Sequence, residues 1–322
     1  MAVTRKKIRQ AQAKWTPGNE PALRQGEFFG DGLQRILTEE LQYALRQVER
    51  PREEMHLAVH ELRKTLKRIR AIFRLIEPDI GYYICRKEIH RYRDIARNVA
   101  SLRSLYVCLE TIKKIRPALP GKIAGEPLGK TEKILRSQYE SLLKKKTEEK
   151  EVNEIIRQEL TLAYQQLEAL PVLHNDVLIF EKAVRNCFRK GRKCWRKVAR
   201  KPGSNNIHEL RKHIKQLQFQ LQVLYPLLPE KLGKPLASLQ KLARLSGDEH
   251  DLYELSQLIR KYLKDEPYKK ELLFGISRLI LAHRKQLLPA ARKFYNIKSK
   301  KFIADLGLRK ITFSSEINLK SA

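Results

Sequence analysis

The sequence predicts an all-α fold: two four-helix bundles from an internal duplication, related by a pseudo-twofold axis. Three observations carry this. The 322-residue chain holds only 14 glycines and 14 prolines, and its long Leu/Lys/Arg/Glu/Gln-rich stretches consist of good helix formers. No segment alternates apolar and polar residues with the period of two that a half-buried strand needs. Two segments also repeat each other. Val59-His60-Glu61-Leu62-Arg63-Lys64 returns 148 residues later as Ile207-His208-Glu209-Leu210-Arg211-Lys212, in a register that sets Pro78 opposite Pro226. After one deleted residue, Ala96-Arg97 and Leu105-Tyr106 align with Ala243-Arg244 and Leu252-Tyr253.

Taken in order, the elements follow from the apolar spacing and from the breakers between periodic stretches. A basic N-terminal segment, 1–24, precedes helices over about 30–49, 53–76 and 82–116; Pro78 and Gly81 end the second, and Pro117 and Pro120-Gly121 end the third. A stretch over about 129–168 connects the two units, and its Lys144-Lys145-Lys146 and Glu148-Glu149 runs read as a solvated helix. The second unit repeats the plan over about 174–201, 205–225, 231–264 and 266–290, punctuated by Pro171, Pro202-Gly203, Pro226 and Pro229. The expected partition is 25–170 for the first bundle with its connecting helix, 171–292 for the second, and 293–322 for an appendage that frays or packs on. A bundle buries one apolar stripe per helix with short loops.

In the repeated helix, Val59, Leu62, Leu66, Ile69, Phe73 and Ile76 fall on one face and form the core stripe. The opposite arc carries His60, Arg63, Lys64, Lys67, Arg68, Arg70 and Arg74. The second copy turns Ile207, Leu210, Ile214, Leu217, Leu221 and Leu224 inward. It turns His208, Arg211, Lys212, Lys215, Gln216, Gln218 and Gln222 outward. A charged helix face is most often simply a solvated one. Such faces ordinarily mix signs, because like charges one turn apart cost a few tenths of a kcal/mol per pair. Here six cations run from Arg63 to Arg74 without an acid between them, which points to an anion along the stripe. The helix before the second copy goes further: ten cations and no acid lie between Lys182 and Lys201. Among them Arg185, Arg189, Arg192 and Arg196 make a ridge roughly 16 Å long, joined by Lys193, with a spacing that can follow a linear polyphosphate but not a single small anion.

The whole chain has 67 Lys+Arg against 36 Asp+Glu, a formal net charge of +31. Self-repulsion of that size is ordinarily tolerated for a polyanion: nucleic acid, an anionic membrane surface or a phosphate polymer. No apolar run approaches a membrane span, so no membrane insertion is expected. Cys85, Cys108, Cys187 and Cys194 form no C-x-x-C pair and no zinc spacing; they read as buried thiols in a reducing, cytoplasmic compartment.

The paired HELRK helices, the Arg/Lys-rich helix before the second, and the later LSGDEHDLYEL segment together make the chain resemble the CHAD family, named for a histidine-containing α-helical domain. The resemblance covers roughly 25–290. It implies one domain over 25–292, two four-helix bundles around a basic central groove or pore, and binding of long-chain inorganic polyphosphate without catalysis or a cofactor. By motif position it implies His60, Arg63, Lys64, Lys67, Arg70, Arg189, Arg196, His208, Arg211, Lys212 and Lys215 as ligand-facing residues; the arc and the ridge add Arg74, Arg185, Arg192 and Lys193. Association with polyphosphate granules follows from the same resemblance. The family usually carries an Arg-Asp pair after the third helix of each unit, where this chain reads Arg103-Ser104 and His250-Asp251.

Two other functions compete. His250-Asp251 superficially resembles a metal-binding dyad of a metal-dependent phosphohydrolase acting on polyphosphate. That site needs further converging ligands, and no acidic cluster accompanies either HELRK helix in the sequence. Nucleic-acid backbone binding, to RNA or DNA, would use the same cations by counterion release. The basic helices interleave few aromatics, and no base-reading signature appears. Phe73 and Phe219 fall on core faces instead.

Overall fold

The computed structural model describes residues 21–148, 150–171, 177–263 and 266–311. Expectations for residues 1–20 and for the tail after Ile311 lie outside the described residues. Among those described, every regular element is helical: α1 Phe29–Val48, α2 Met55–Ile80, α3 Tyr82–Asn98, α4 Ala100–Ile115, the single turn α5 Gly121–Ala124, α6 Glu126–Glu148, α7 Lys150–Gln165, α8 Val177–Arg200, α9 Ser204–Leu224, α10 Pro229–Tyr262, α11 Lys269–Tyr295 and α12 Ser299–Leu306, with short 3-10 turns between some of them. The order α1, α2, α3–α4, α6 recurs as α8, α9, α10, α11, with first residues 148, 149, 147 and 143 positions later. Helix α7 has no counterpart in that series.

Several ends differ from the expected ones for local reasons. Helix α2 passes through Pro78, because a proline in the last turn forfeits only one N–H. Gly81 makes the stop: its φ of 86° suits a residue without Cβ, and its N–H closes on the Glu77 carbonyl at 3.1 Å. The element expected over 82–116 breaks at Val99 (φ −109°, ψ 10°), whereas its counterpart α10 continues unbroken for 34 residues. The connecting stretch divides into α6 and α7. The C-terminal segment packs: α11 reaches Tyr295, and α12 buries Phe302, Ile303 and Leu306, with Phe302 stacked on Phe188 at 4.0 Å between centroids. Gly191 makes room on α8, since a Cβ there would stand 2.8 Å from the Tyr295 hydroxyl oxygen.

The expected core stripes are buried. Val59, Leu62, Leu66, Ile69, Phe73 and Ile76 of α2, and Ile207, Leu210, Ile214, Leu217, Leu221 and Leu224 of α9, all lie in one apolar cluster. Leu210 is fully enclosed, so Leu210→Ala is expected to cost about 2–5 kcal/mol of unfolding free energy in a denaturant titration. Arg68, expected on the outward arc, is a correction. Helix α1 packs against α2 over that edge, and Arg68 lies buried with its Nε and Nη2 donating to Glu40 at 2.6 and 2.8 Å. Gln218 and Gln222, also expected outward, are buried, the latter beside Arg68 and Ile72 where α9 meets α2.

The apolar interior does not divide at the repeat. One cluster joins α1, α2, α3, α7, α8 and α9 to the first half of α10 and the end of α11. The other joins α4 from Leu105 onward and α6 to the second half of α10 and the first half of α11. Both clusters therefore draw on both halves of the chain. They meet at matching places, between Leu102 and Leu105 on α4 and between Leu245 and Leu252 on α10. The α10 stretch between them buries Ser246, Gly247 and Glu249 instead of apolar side chains. Glu249 accepts from Arg284 Nη2 at 2.7 Å and from the Ser204 hydroxyl at 2.8 Å, tying α9, α10 and α11 together through this polar layer.

Candidate functional site

Helices α2 and α9 pack against each other, and α4 and α10 close beside them. Because the HELRK register is shared, the pairing brings equivalent cations together. Lys67 on α2 faces Arg211 and Lys215 on α9, with Arg63 and Arg70 on its own helix. His250 on α10 faces His208, Arg211 and Lys212 from α9 and Lys67 from α2; the two imidazoles are 4.4 Å apart between centroids. Arg103 on α4 stands near Arg63, His60 and Asp251. Acids stand beside this group as well: Asp251 and Asp248 near Arg211, Glu254 near Arg63 and His208, Glu61 near His60 and Arg103, Glu110 near Arg103 and Glu209 near His208, with Glu254 accepting from the Ser104 hydroxyl at 2.8 Å. Asp248, Asp251 and Glu254 come from α10, so the sequence separates them from the HELRK helices. Beyond Asp251, a cavity of about 340 Å³ opens between α4, α10 and α11, lined by Thr111, Lys114, Asp248, Leu279 and His283.

Arg63 and Arg211 sit at matching positions yet have different tasks. The break at Val99 lets Arg63 Nη1 donate to the Ala96 carbonyl at 2.5 Å. Arg211 instead meets unbroken α10, where its guanidinium lies over Gly247: a Cβ there would be 3.5 Å from Nη2. Its Nε is buried and has no acceptor among the described residues. A buried guanidinium N–H without an acceptor is costly unless an anion supplies one.

Electrostatics follow from this crowding. Burial, reinforced by Arg211, Arg63, Arg70 and Lys215, pushes the Lys67 ammonium down to about 7. Burial and then the neighbouring Arg74, Arg63 and Arg93 lower Arg70 to about 10. His250 falls to about 3, through burial first and then His208, Arg211, Lys67 and Lys212. His60 and His208 are also lowered, chiefly by burial. Asp251 is raised by burial, against the pull of Arg211. Every one of these shifts opposes charge, and burial is the first cause of each.

The remaining expected residues are placed less centrally. Lys64 and Lys212 pair with Glu61 at 3.6 Å and Glu209 at 2.7 Å on their own helices. His60 is 3.7 Å from the Glu61 carboxylate. Arg74 lies near Arg70 and toward Cys85, Cys187 and His213. The α8 ridge does not stay whole. Arg185 is paired with Glu181, which also accepts from Arg309, and Arg192 Nε donates to the Tyr295 carbonyl at 3.1 Å. Arg189, Lys193 and Arg196 are exposed along α8. Spacing alone did not show that Arg192 is engaged by the end of α11, whereas the i,i+4 pairing of Arg185 with Glu181 lies within one helix. Sequence reasoning missed Arg103 as a member of the basic group, and gave His250 and Asp251 to the rival metal reading. The repeat offset was the available signal, since it sets Arg103 opposite His250 and Ser104 opposite Asp251. Cys85, Cys108 and Cys187 are buried, Cys194 is half-buried, and all four are free.

The model of the CHAD domain matches residues 35–260, more than half of the chain. The chain belongs to the CHAD family. The crystal structure of the CHAD domain from the plant Ricinus communis is similar in fold, with a TM-score of 0.60 and 14% identity, over 89% of this chain and 97% of that one. Among curated proteins, none matches the chain. No helix among the described residues is long and apolar enough to cross a membrane. Nor does any group of three or more His, Cys, Asp or Glu among them stand where it could hold a metal ion.

Proposed function

We propose that this CHAD chain binds long-chain inorganic polyphosphate without catalysis. The ligand runs along a groove or pore between two four-helix bundles that arose by duplication and face each other about a pseudo-twofold axis. One observation carries the reading: Arg63 and Arg70 on α2 and Arg211 and Lys215 from the other half of the chain gather around Lys67, and burial together with these cations lowers the proton affinity of its amine. A polyanion relieves that repulsion and supplies the acceptor that Arg211 Nε lacks. A linear polymer makes several such contacts at once, so affinity rises steeply with chain length and falls steeply with salt. Exposed Arg189, Lys193 and Arg196 extend the basic surface along α8 and suit the ends of a long chain.

Nucleic acid remains the second reading, favoured by that exposed α8 face. Competition among long polyphosphate, tRNA and duplex DNA at one ionic strength separates the two. We expect polyphosphate to displace both nucleic acids, and preferential retention of tRNA or DNA would reverse the assignment. Phosphate release from polyphosphate with Mg²⁺ or Mn²⁺ tests the phosphohydrolase; we expect none above the protein-free rate. A cytoplasmic protein gathered on polyphosphate granules is the setting this function fits.

A further inference from the structure

We propose that the protein also binds purine nucleoside polyphosphates, with the base stacked on an aromatic cluster where α2 begins and the phosphates laid along the cationic face of that helix. The proposal rests on the phosphate-binding reading above and adds a second class of ligand to it.

Three rings gather where the start of α2 meets α4 and α6. His56 of α2 is stacked on Tyr106 of α4, with centroids 4.9 Å apart and planes 20° apart. Tyr139 of α6 stands 6.0 Å from Tyr106 on a tilted plane, and the Arg103 guanidinium carbon lies 5.7 Å from the Tyr106 centroid. All three rings are half-buried rather than enclosed.

The cluster leads into the basic face. His56, His60, Arg63, Lys67 and Arg70 follow one another on α2 at spacings of 4, 3, 4 and 3, so they share one side of the helix. At 1.5 Å per residue, Arg63 lies about 10 Å and Lys67 about 16 Å along the axis from His56. Farther on, α2 meets α9, where Gln220 Nε2 donates to the Ala71 carbonyl at 3.5 Å. The acids beside this path already have partners: Glu61 accepts from the Tyr43 hydroxyl at 3.3 Å, Glu110 from Lys113 at 2.8 Å and Glu254 from Ser104 at 2.8 Å. Rings suited to a base and cations suited to phosphates therefore adjoin.

The cluster is built in one half of the chain. The residue 148 places after His56 is Ser204, which donates instead to Glu249 at 2.8 Å in the buried polar layer. The cations are doubled but the stacked imidazole is not, which suits a ligand with a base at one end. One such cluster serves a single base rather than the succession of bases in RNA or DNA.

Isothermal titration of the full chain with metal-free ATP and with tripolyphosphate tests this. ATP carries the smaller charge, so phosphate contacts alone would favour tripolyphosphate; we expect ATP to bind roughly tenfold more tightly. The H2 and H8 protons of bound ATP should move upfield in NMR spectra, as stacking on a ring requires. His56→Ala and Tyr106→Leu should each erase the advantage of ATP, a ratio taken within one protein and so insensitive to lost folded chain. A chain that binds long polyphosphate but takes ATP no more tightly than tripolyphosphate overturns this inference alone, as does an advantage that both variants keep. Preference for ATP in a chain that fails to bind long polyphosphate overturns the function reading alone.

Discussion

Lys67→Glu is expected to abolish retention of long polyphosphate while raising the melting temperature of the free protein. The two effects have opposite signs because the position is a meeting point of cations. In the free chain Lys67 faces Arg211, Lys215, Arg63 and Arg70, so a carboxylate there converts repulsions into attractions. The gain should appear as a rise in melting temperature of about 2 °C or more. For a polyanion bound in the proposed groove the same change removes one favourable charge and adds a repulsive one, worth on the order of a hundredfold in affinity. Lys67→Met separates the steps: it should relieve repulsion and lose part of the binding. Charge reversal at Arg211 is a poorer test, because a glutamate there would stand beside Asp251 and Asp248. Isothermal titration and thermal denaturation of the three proteins decide the matter. Undiminished polyphosphate binding by Lys67→Glu would place the ligand elsewhere.

Affinity for polyphosphate is also expected to rise as pH falls from about 9 to 7, with net proton uptake on binding. The free-state value of Lys67 is about 7, well below its ordinary 10.5, so much of the amine is uncharged through this window. A phosphate chain favours the ammonium, raises its proton affinity and draws a proton in with the ligand. For the free protein the sign is the opposite. The unfolded lysine takes up its proton near 10.5 and the folded one near 7, so this group lowers stability progressively as pH falls between those values and adds nothing further below 7. His208 and His250, both depressed by burial, continue the trend at more acidic pH. Titrations at pH 7.5 in two buffers of different protonation enthalpy count the protons. Lys67→Arg, permanently charged, should still bind but with most of the uptake gone. If the mutant takes up as many protons as the parent, Lys67 lies off the path of the anion.

Much of this was legible before any coordinates. The 148-residue repeat set the helix order, and the stripe from Val59 to Ile76 marked the buried face of α2 as its copy did for α9. Those features are periodic, and an apolar face is buried wherever the helix goes. The family followed from the same motifs, and residues 35–260 match it. The helix ends were less legible. Pro78 costs a single hydrogen bond where it stands, and the break at Val99 has no breaker residue to announce it.

What the sequence alone determined was a doubled helical chain with an excess of positive charge on one arc of its repeated helix. Tertiary packing decided which of those cations act together. Arg68 went to a carboxylate on α1 and Arg192 to a carbonyl at the end of α11, because each lies on an edge that a neighbouring helix covers, whereas Arg185 pairs with Glu181 one turn back on its own helix. Lys67 and Arg211 met because α2 and α9 pack in register, and Arg63 parted from Arg211 because one facing helix is broken and the other is not. A helical wheel gives the direction of a side chain from its own axis; only the neighbouring helices give it partners.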